Sequence, residues 1–134
     1  MNTLAKDLTL LGMRLVFGGL MLLNHGISKF NRLVDYFNGE DVGFRSVLGL
    51  GEIPSLFLAV FSEVGCSILL VLGVYTKKSS WPLIATMFIA AFVVHGPDPL
   101  KKKEMALLYL MAYIATAVFG GGKYSLDRVL FKKR

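Results

Sequence analysis

Six side chains in this 134-residue chain have types and positions suited to chemistry: Arg14, His25, Lys29, Glu63, His95 and Glu104. Arg14 and Glu63 each interrupt an apolar run. A charge at the centre of a bilayer costs roughly 2.5–3.5 kcal/mol on insertion scales, so both should face protein and find a partner. If the two runs cross antiparallel at similar depth, the expected pair is Arg14 with Glu63. Such a pair either fixes how two helices pack or holds a polar headgroup and relays a proton. Desolvation can cancel its attraction, so it is poor evidence for stability. Histidine as a residue type titrates near neutral pH, so His25 and His95 are candidates for proton transfer. With Glu104, Asn24 and Lys29 they would form a polar pocket at one end of the helices, with the ion pair as its floor.

Each of these residues also has a plainer reading. His25 and His95 at helix ends serve equally as interfacial caps. Two histidines and a glutamate could bind a metal, but they lie on three separate runs without local ligand spacing, so no metal site is expected. Cys66, the one cysteine, reads as a small packing residue and excludes an internal disulfide or dithiol. Tyr109 and Tyr113 read as packing residues. Gly122-Lys123 resembles part of a phosphate-binding loop, but the upstream glycine is missing and Tyr124 stands where Ser or Thr is required.

The elements that must position these residues follow from composition. Hydrophobic residues make up 54% and charged residues 18%, against about 45–50% and 25% in soluble domains. Mean hydropathy is +0.60. A soluble domain of this size could not bury so much apolar surface, since it hides only about 60–70% of what the unfolded chain exposes. The chain therefore reads as one all-α domain, an integral membrane four-helix bundle. Its spans are expected at about 8–25, 53–75, 80–95 and 104–120. Arg14 and the absence of a small-x-small site argue against a cleaved signal in the first run.

Arg14, Gly18, Met21 and His25 fall on one stripe of the first helix, and Ala59, Glu63, Cys66, Leu70 and Gly73 on one of the second. Ile84, Phe88, Ala91 and His95 do so on the third, and Glu104, Leu108, Met111 and Ala115 on the fourth. Ile27, Phe30, Leu33, Val34 and Phe37 oppose Lys29, Arg32 and Asp35, which predicts an amphipathic helix in the first loop. Ser125 as N-cap and Asp127 in the first turn predict another at the C-terminus. Thr76 to Ser80 reads as a tight turn, with Pro82 in the first turn of the next helix.

Net charge is +6. Four spans put eight basic residues on the side of the termini, Lys133 and Arg134 among them, and six on the other side. The eight lie in shorter flanks, which places both termini in the cytoplasm. Basic residues set between apolar runs favour an anionic lipid surface over nucleic acid.

Read in order, Arg14 with Phe17-Gly18, then His25-Gly26-Ile27-Ser28-Lys29-Phe30, Pro54, Glu63 and Leu69 to Lys77 resemble the DoxX family. His95, Glu104 to Leu110 and Lys123-Tyr124-Ser125-Leu126-Asp127 continue the likeness. Two departures are Gly121, where a proline is common, and Cys66, where glycine is common. The resemblance implies a small four-helix protein of the cytoplasmic (inner) membrane. Relatives in the wider DoxX/DoxD-like group include subunits of quinone-linked sulfur oxidoreductases and members of complexes handling thiols.

The expectation is thus a membrane subunit of a quinone- or thiol/sulfur-linked redox system, its pocket opening on the non-cytoplasmic side. Arg14 would anchor a carbonyl or anionic oxygen, Glu63 would orient it or accept a proton, and His25, His95 and Glu104 would pass protons outward. No motif for an intrinsic cofactor is present, so electrons would require a quinone or a redox partner protein. The alternative is a non-catalytic membrane scaffold or assembly factor. A homo-oligomer is compatible with either.

Overall fold

The computed structural model describes residues 2–132; Met1, Lys133 and Arg134 lie outside the described residues. Every regular element among them is helical. Four long helices, α1 (Thr3–Phe37), α2 (Glu52–Leu72), α3 (residues 76–94) and α4 (Leu100–Phe119), are followed by a single short turn of helix, α5 (Leu126–Leu130). Of these, α1 and α2 are long and apolar enough to cross a membrane.

The surface is inverted relative to a water-soluble protein. Leu15, Leu23, Phe61, Phe88, Met111 and Val118 are exposed, while Arg14, Ser62, Glu63, Ser67, Ser80 and Thr116 are buried. The core, built on Met21, Cys66, Leu70, Leu83, Met87, Tyr109 and Tyr113, is tied by side-chain hydrogen bonds between helices. Thr86 donates to Ser62 at 2.7 Å, joining α3 to α2, and Ser80 and Thr116 lie 2.9 Å apart between α3 and α4. Small hydroxyl residues join helices in this way where apolar burial gives no preference between neighbours.

Three expected boundaries move. The amphipathic stretch after Gly26 is not a separate helix in the first loop, because it continues α1 without a break over 35 residues. Gly26 keeps right-handed helical angles (φ −65°, ψ −46°), so nothing stops the helix there. At 1.5 Å per residue α1 is about 52 Å long, well beyond a hydrocarbon layer of ~30 Å.

The α2–α3 turn is also earlier than expected. It is Gly73-Val74-Tyr75, not Thr76 to Ser80. Gly73 adopts φ +74°, and the N–H groups of Gly73 and Val74 donate to Leu70 and Leu69, a Schellman closure that ends α2. The Asp127 carboxylate accepts from the N–H groups of Tyr75 (2.6 Å) and Thr76 (2.8 Å), which starts α3 early and leaves Pro82 inside the helix. Ser125 holds the cap position of α5, but its hydroxyl donates to the Gly122 carbonyl and caps nothing.

Four turns are widened to π-helical spacing: Arg14–Gly18, Leu22–Gly26, Phe61–Cys66 and Ala90–Val94. Arg14, His25 and Glu63 sit inside such turns, and the His95 N–H closes the fourth on Ala90 at 2.9 Å. Turns of this kind recur at functional sites.

Candidate functional site

Glycine contacts set how α1 meets α2. A Cβ on Gly18 would stand 2.9 Å from Val71, and one on Gly26 only 2.5 Å from the Glu63 carbonyl oxygen. The backbones therefore touch at these points, with Gly26 level with Glu63 and Gly18 near Ser67 and Val71. In that register Arg14 and Glu63 are offset by about eleven residues, roughly 17 Å along the axis. The expected Arg14–Glu63 pair does not form. Lys29, four residues beyond His25, reaches Glu63 instead, with Nζ 2.5 Å from Oε2 and side-chain exposures of 21% and 6%.

Arg14 closes the opposite end. Its guanidinium donates to the carbonyls of Gly121 (2.6 Å), Tyr124 (3.2 Å) and Val71 (3.4 Å), joining α1 to the end of α2 and to the chain after α4. Val71 lies in the last turn of α2, where the helix end carries partial negative charge and favours a cation. Gly73 and Gly121 clear the space. A Cβ on Gly73 would lie 2.8 Å from the guanidinium, and one on Gly121 2.6 Å from Ser125. The Lys123 N–H donates to Asp7 at 3.0 Å beside it. A shallow open groove of about 440 Å³ at this end holds Lys77, Asp127 and Arg128, remote from the other candidate residues.

The notable cavity, about 510 Å³, lies at the other end and brings together His25, Lys29, Glu63 and His95. Ligand pockets typically measure about 300–1,000 Å³ and are mostly apolar with a few polar groups. Leu58, Met87, Ile89 and Val94 supply apolar wall, and Phe44 and Leu48 come from the first loop. That loop is held by the N–H of Phe44 on Glu52 and the N–H of Val47 on the Ser55 hydroxyl. Arg14 and Glu104 do not line the cavity. Glu104 is exposed, and its stripe faces outward, with Leu108 and Met111 more than half exposed. The inward face of α4 is Tyr109, Ala112, Tyr113 and Thr116.

Tyr109 was expected only to pack, yet it lines the cavity. Its ring meets His25 edge-on at 6.0 Å and Phe17 at 5.6 Å. Tyr113 does pack: it is fully buried and donates to the Phe17 carbonyl at 3.1 Å. Arg45 and Lys102 also line the cavity and were missed. The lysine run 101–103, with one acid beside it, was the available signal for Lys102. Arg45, in a glycine-rich loop, gave none.

At the cavity rim His95 Nδ1 donates to Asp98 at 2.8 Å. This hydrogen bond, opposed by desolvation and assisted by the charges of Lys102, His95 and Lys103, holds the Asp98 carboxyl below the usual carboxylate range. Among the described residues no cluster of three His, Cys, Asp or Glu side chains could hold a metal ion.

The architecture defines a class: a small all-helical protein with apolar helices of membrane-crossing length and a polar-bottomed cavity between them. The DoxX family model matches residues 9–96, and the chain belongs to the DoxX family. An uncharacterized protein of Haemophilus influenzae is 31% identical over 120 residues, covering 84% of each chain. No solved structure matches.

Proposed function

We propose that the chain spans the cytoplasmic membrane four times with both termini in the cytoplasm. In this reading it is the membrane subunit of a quinone- or thiol/sulfur-linked redox system, and its cavity opens on the non-cytoplasmic side. The supporting observation is the convergence of His25, Lys29, Glu63, His95 and Tyr109 on one mostly apolar cavity.

The residues present fit a quinone. The Tyr109 hydroxyl and the His25 ring have no hydrogen-bond partner among the described residues and are free to donate to ring oxygens. Leu58, Ile89 and Val94 suit a flat apolar body. A bound quinone would supply the electron-carrying capacity that the chain's own side chains lack. The Glu63 carboxyl group, in contact with Lys29, places a proton-accepting oxygen at the same cavity. His25 lines the same cavity and His95 stands at its rim beside Asp98, and either can exchange a proton.

The test is binding of a short-tailed benzoquinone to purified protein in nanodiscs. Saturable binding with a raised melting temperature, weakened by His25→Ala and Glu63→Gln, is expected. No binding and no shift overturns the reading.

A second reading, a non-catalytic scaffold, draws on the opposite end. There the two terminal nitrogens of Arg14 donate to backbone carbonyls, and Lys77, Lys78, Lys123 and Arg128 are exposed beside it. If reversing those charges abolishes copurification of a partner while Glu63→Gln leaves the phenotype intact, the scaffold reading stands.

A further inference from the structure

The charged lining of the cavity is unbalanced. Lys29, Arg45 and Lys102 face a single acid, Glu63. Lys29 already neutralises Glu63. Arg45 and Lys102 make no ion pair and no side-chain hydrogen bond among the described residues. Lys102 acts on Asp98 at the rim through its charge alone, without a direct ion pair, and Arg45 has neither, so both cations can take an anion at a cavity whose walls are otherwise mostly apolar.

The helix ends add to the same sign. Both α2 and α4 begin at this end, with their unpaired N–H groups and partial positive charge. The first turn of α4 has no acidic residue and no side-chain cap. That of α2 keeps Glu52, which is occupied by the Phe44 N–H. The C-terminus of α3 opposes them, but Lys103 Nζ covers it by donating to the Gly96 carbonyl at 3.0 Å.

We infer that the cavity selects an amphiphile with a single anionic head, a carboxylate or phosphate ester, seated between Arg45 and Lys102. The apolar body lies along Leu58, Met87 and Val94. The inference rests on the reading of this cavity as a ligand site and adds the charge of what enters it. A neutral quinone alone leaves both cations unused. The head can belong to a free amphiphile or to an anionic phospholipid of the surrounding membrane.

Full-length protein in phosphatidylcholine nanodiscs is titrated with decanoate, with decanol as the neutral chain and with decyltrimethylammonium as the cation. Two exposed cations at about threefold each give decanoate roughly a tenfold preference. Arg45→Gln and Lys102→Gln each weaken decanoate about threefold and leave decanol unchanged. Lys77→Gln, at the other end, changes neither. Phosphatidylglycerol in the nanodisc suppresses decanoate binding if the lipid is the source of the head. Undiminished binding assigns a free amphiphile. Decanol binding as tightly as decanoate, or a double variant that binds decanoate like the parent, overturns the inference. Decanoate binding without benzoquinone binding supports it and removes the quinone reading; benzoquinone binding without decanoate does the reverse.

Discussion

Lys29 reaches across from α1 to within 2.5 Å of the Glu63 carboxylate on α2, one turn beyond the glycine where the two backbones touch. The two partners are not equally buried, with side-chain exposures of 21% for Lys29 and 6% for Glu63. Lys29→Met leaves a buried carboxylate without its cation and should cost about 3–5 kcal/mol. Glu63→Gln costs less, because the lysine head can turn toward solvent. The double variant Lys29→Met/Glu63→Met recovers most of the loss. Thermal unfolding of the four proteins in one detergent measures this, and equal losses from the two single changes would contradict it.

Arg14→Met removes hydrogen bonds to three carbonyls and should lower stability by about 3 kcal/mol or more, at roughly 1.5–3 kcal/mol per charged bond. Arg14→Lys does not rescue it, since one ammonium cannot serve Gly121, Tyr124 and Val71 together. Ligand affinity in the cavity stays unchanged in whatever protein remains folded. A selective loss of binding at normal stability would return Arg14 to the site.

Gly26→Ala forces a methyl against the Glu63 carbonyl at 2.5 Å and should cost about 1–3 kcal/mol by parting α1 from α2. Gly12→Ala is the control. Its Cβ would meet nothing within 4 Å, and helix propensity alone should stabilise it by up to about 1 kcal/mol. Melting temperatures moving in opposite directions are the expected result.

Asp98 gives the pH signature. Its carboxyl titrates lower in the folded chain than in the unfolded one, because His95 donates to it. The folded state then binds fewer protons than the unfolded state around the ordinary Asp value of about 3.9. The contribution is complete above that range and is lost as pH falls through the lowered folded value. Asp98→Asn should flatten this acid limb. Carbon-13 titration of the Asp98 carboxyl should give a midpoint below the unperturbed value.

Much of the inward face of α1 was legible, because a membrane helix marks its protein side with small and polar residues. Arg14, Gly18 and Met21 are buried and His25 borders the cavity, as their spacing implied. The same reasoning failed on α4 because it was anchored on Glu104. That residue lies just past the first turn, close to the helix end, where a charge can face water whichever way the helix is rotated. Ala112 and Thr116, small and hydroxyl residues deeper in the helix, marked the buried face. The partner of Glu63 was not legible, since depth along two crossing helices depends on where Gly18 and Gly26 meet α2. That is a property of the packed pair. The expected DoxX likeness continued to Asp127, whereas the family model stops at residue 96; the Haemophilus protein carries the alignment over more of the chain.

The partners of Arg14 and Asp7 also impose an order in time. Gly121, Lys123 and Tyr124 come 107 to 116 residues later in the chain. At about 5–20 residues per second, α1 is finished roughly 4–17 s before those groups are made. Through that interval the guanidinium lacks its Gly121 and Tyr124 acceptors, so these later residues act as a latch on α1. A chain that ends before Gly121 leaves Arg14 with the Val71 carbonyl alone of its three acceptors.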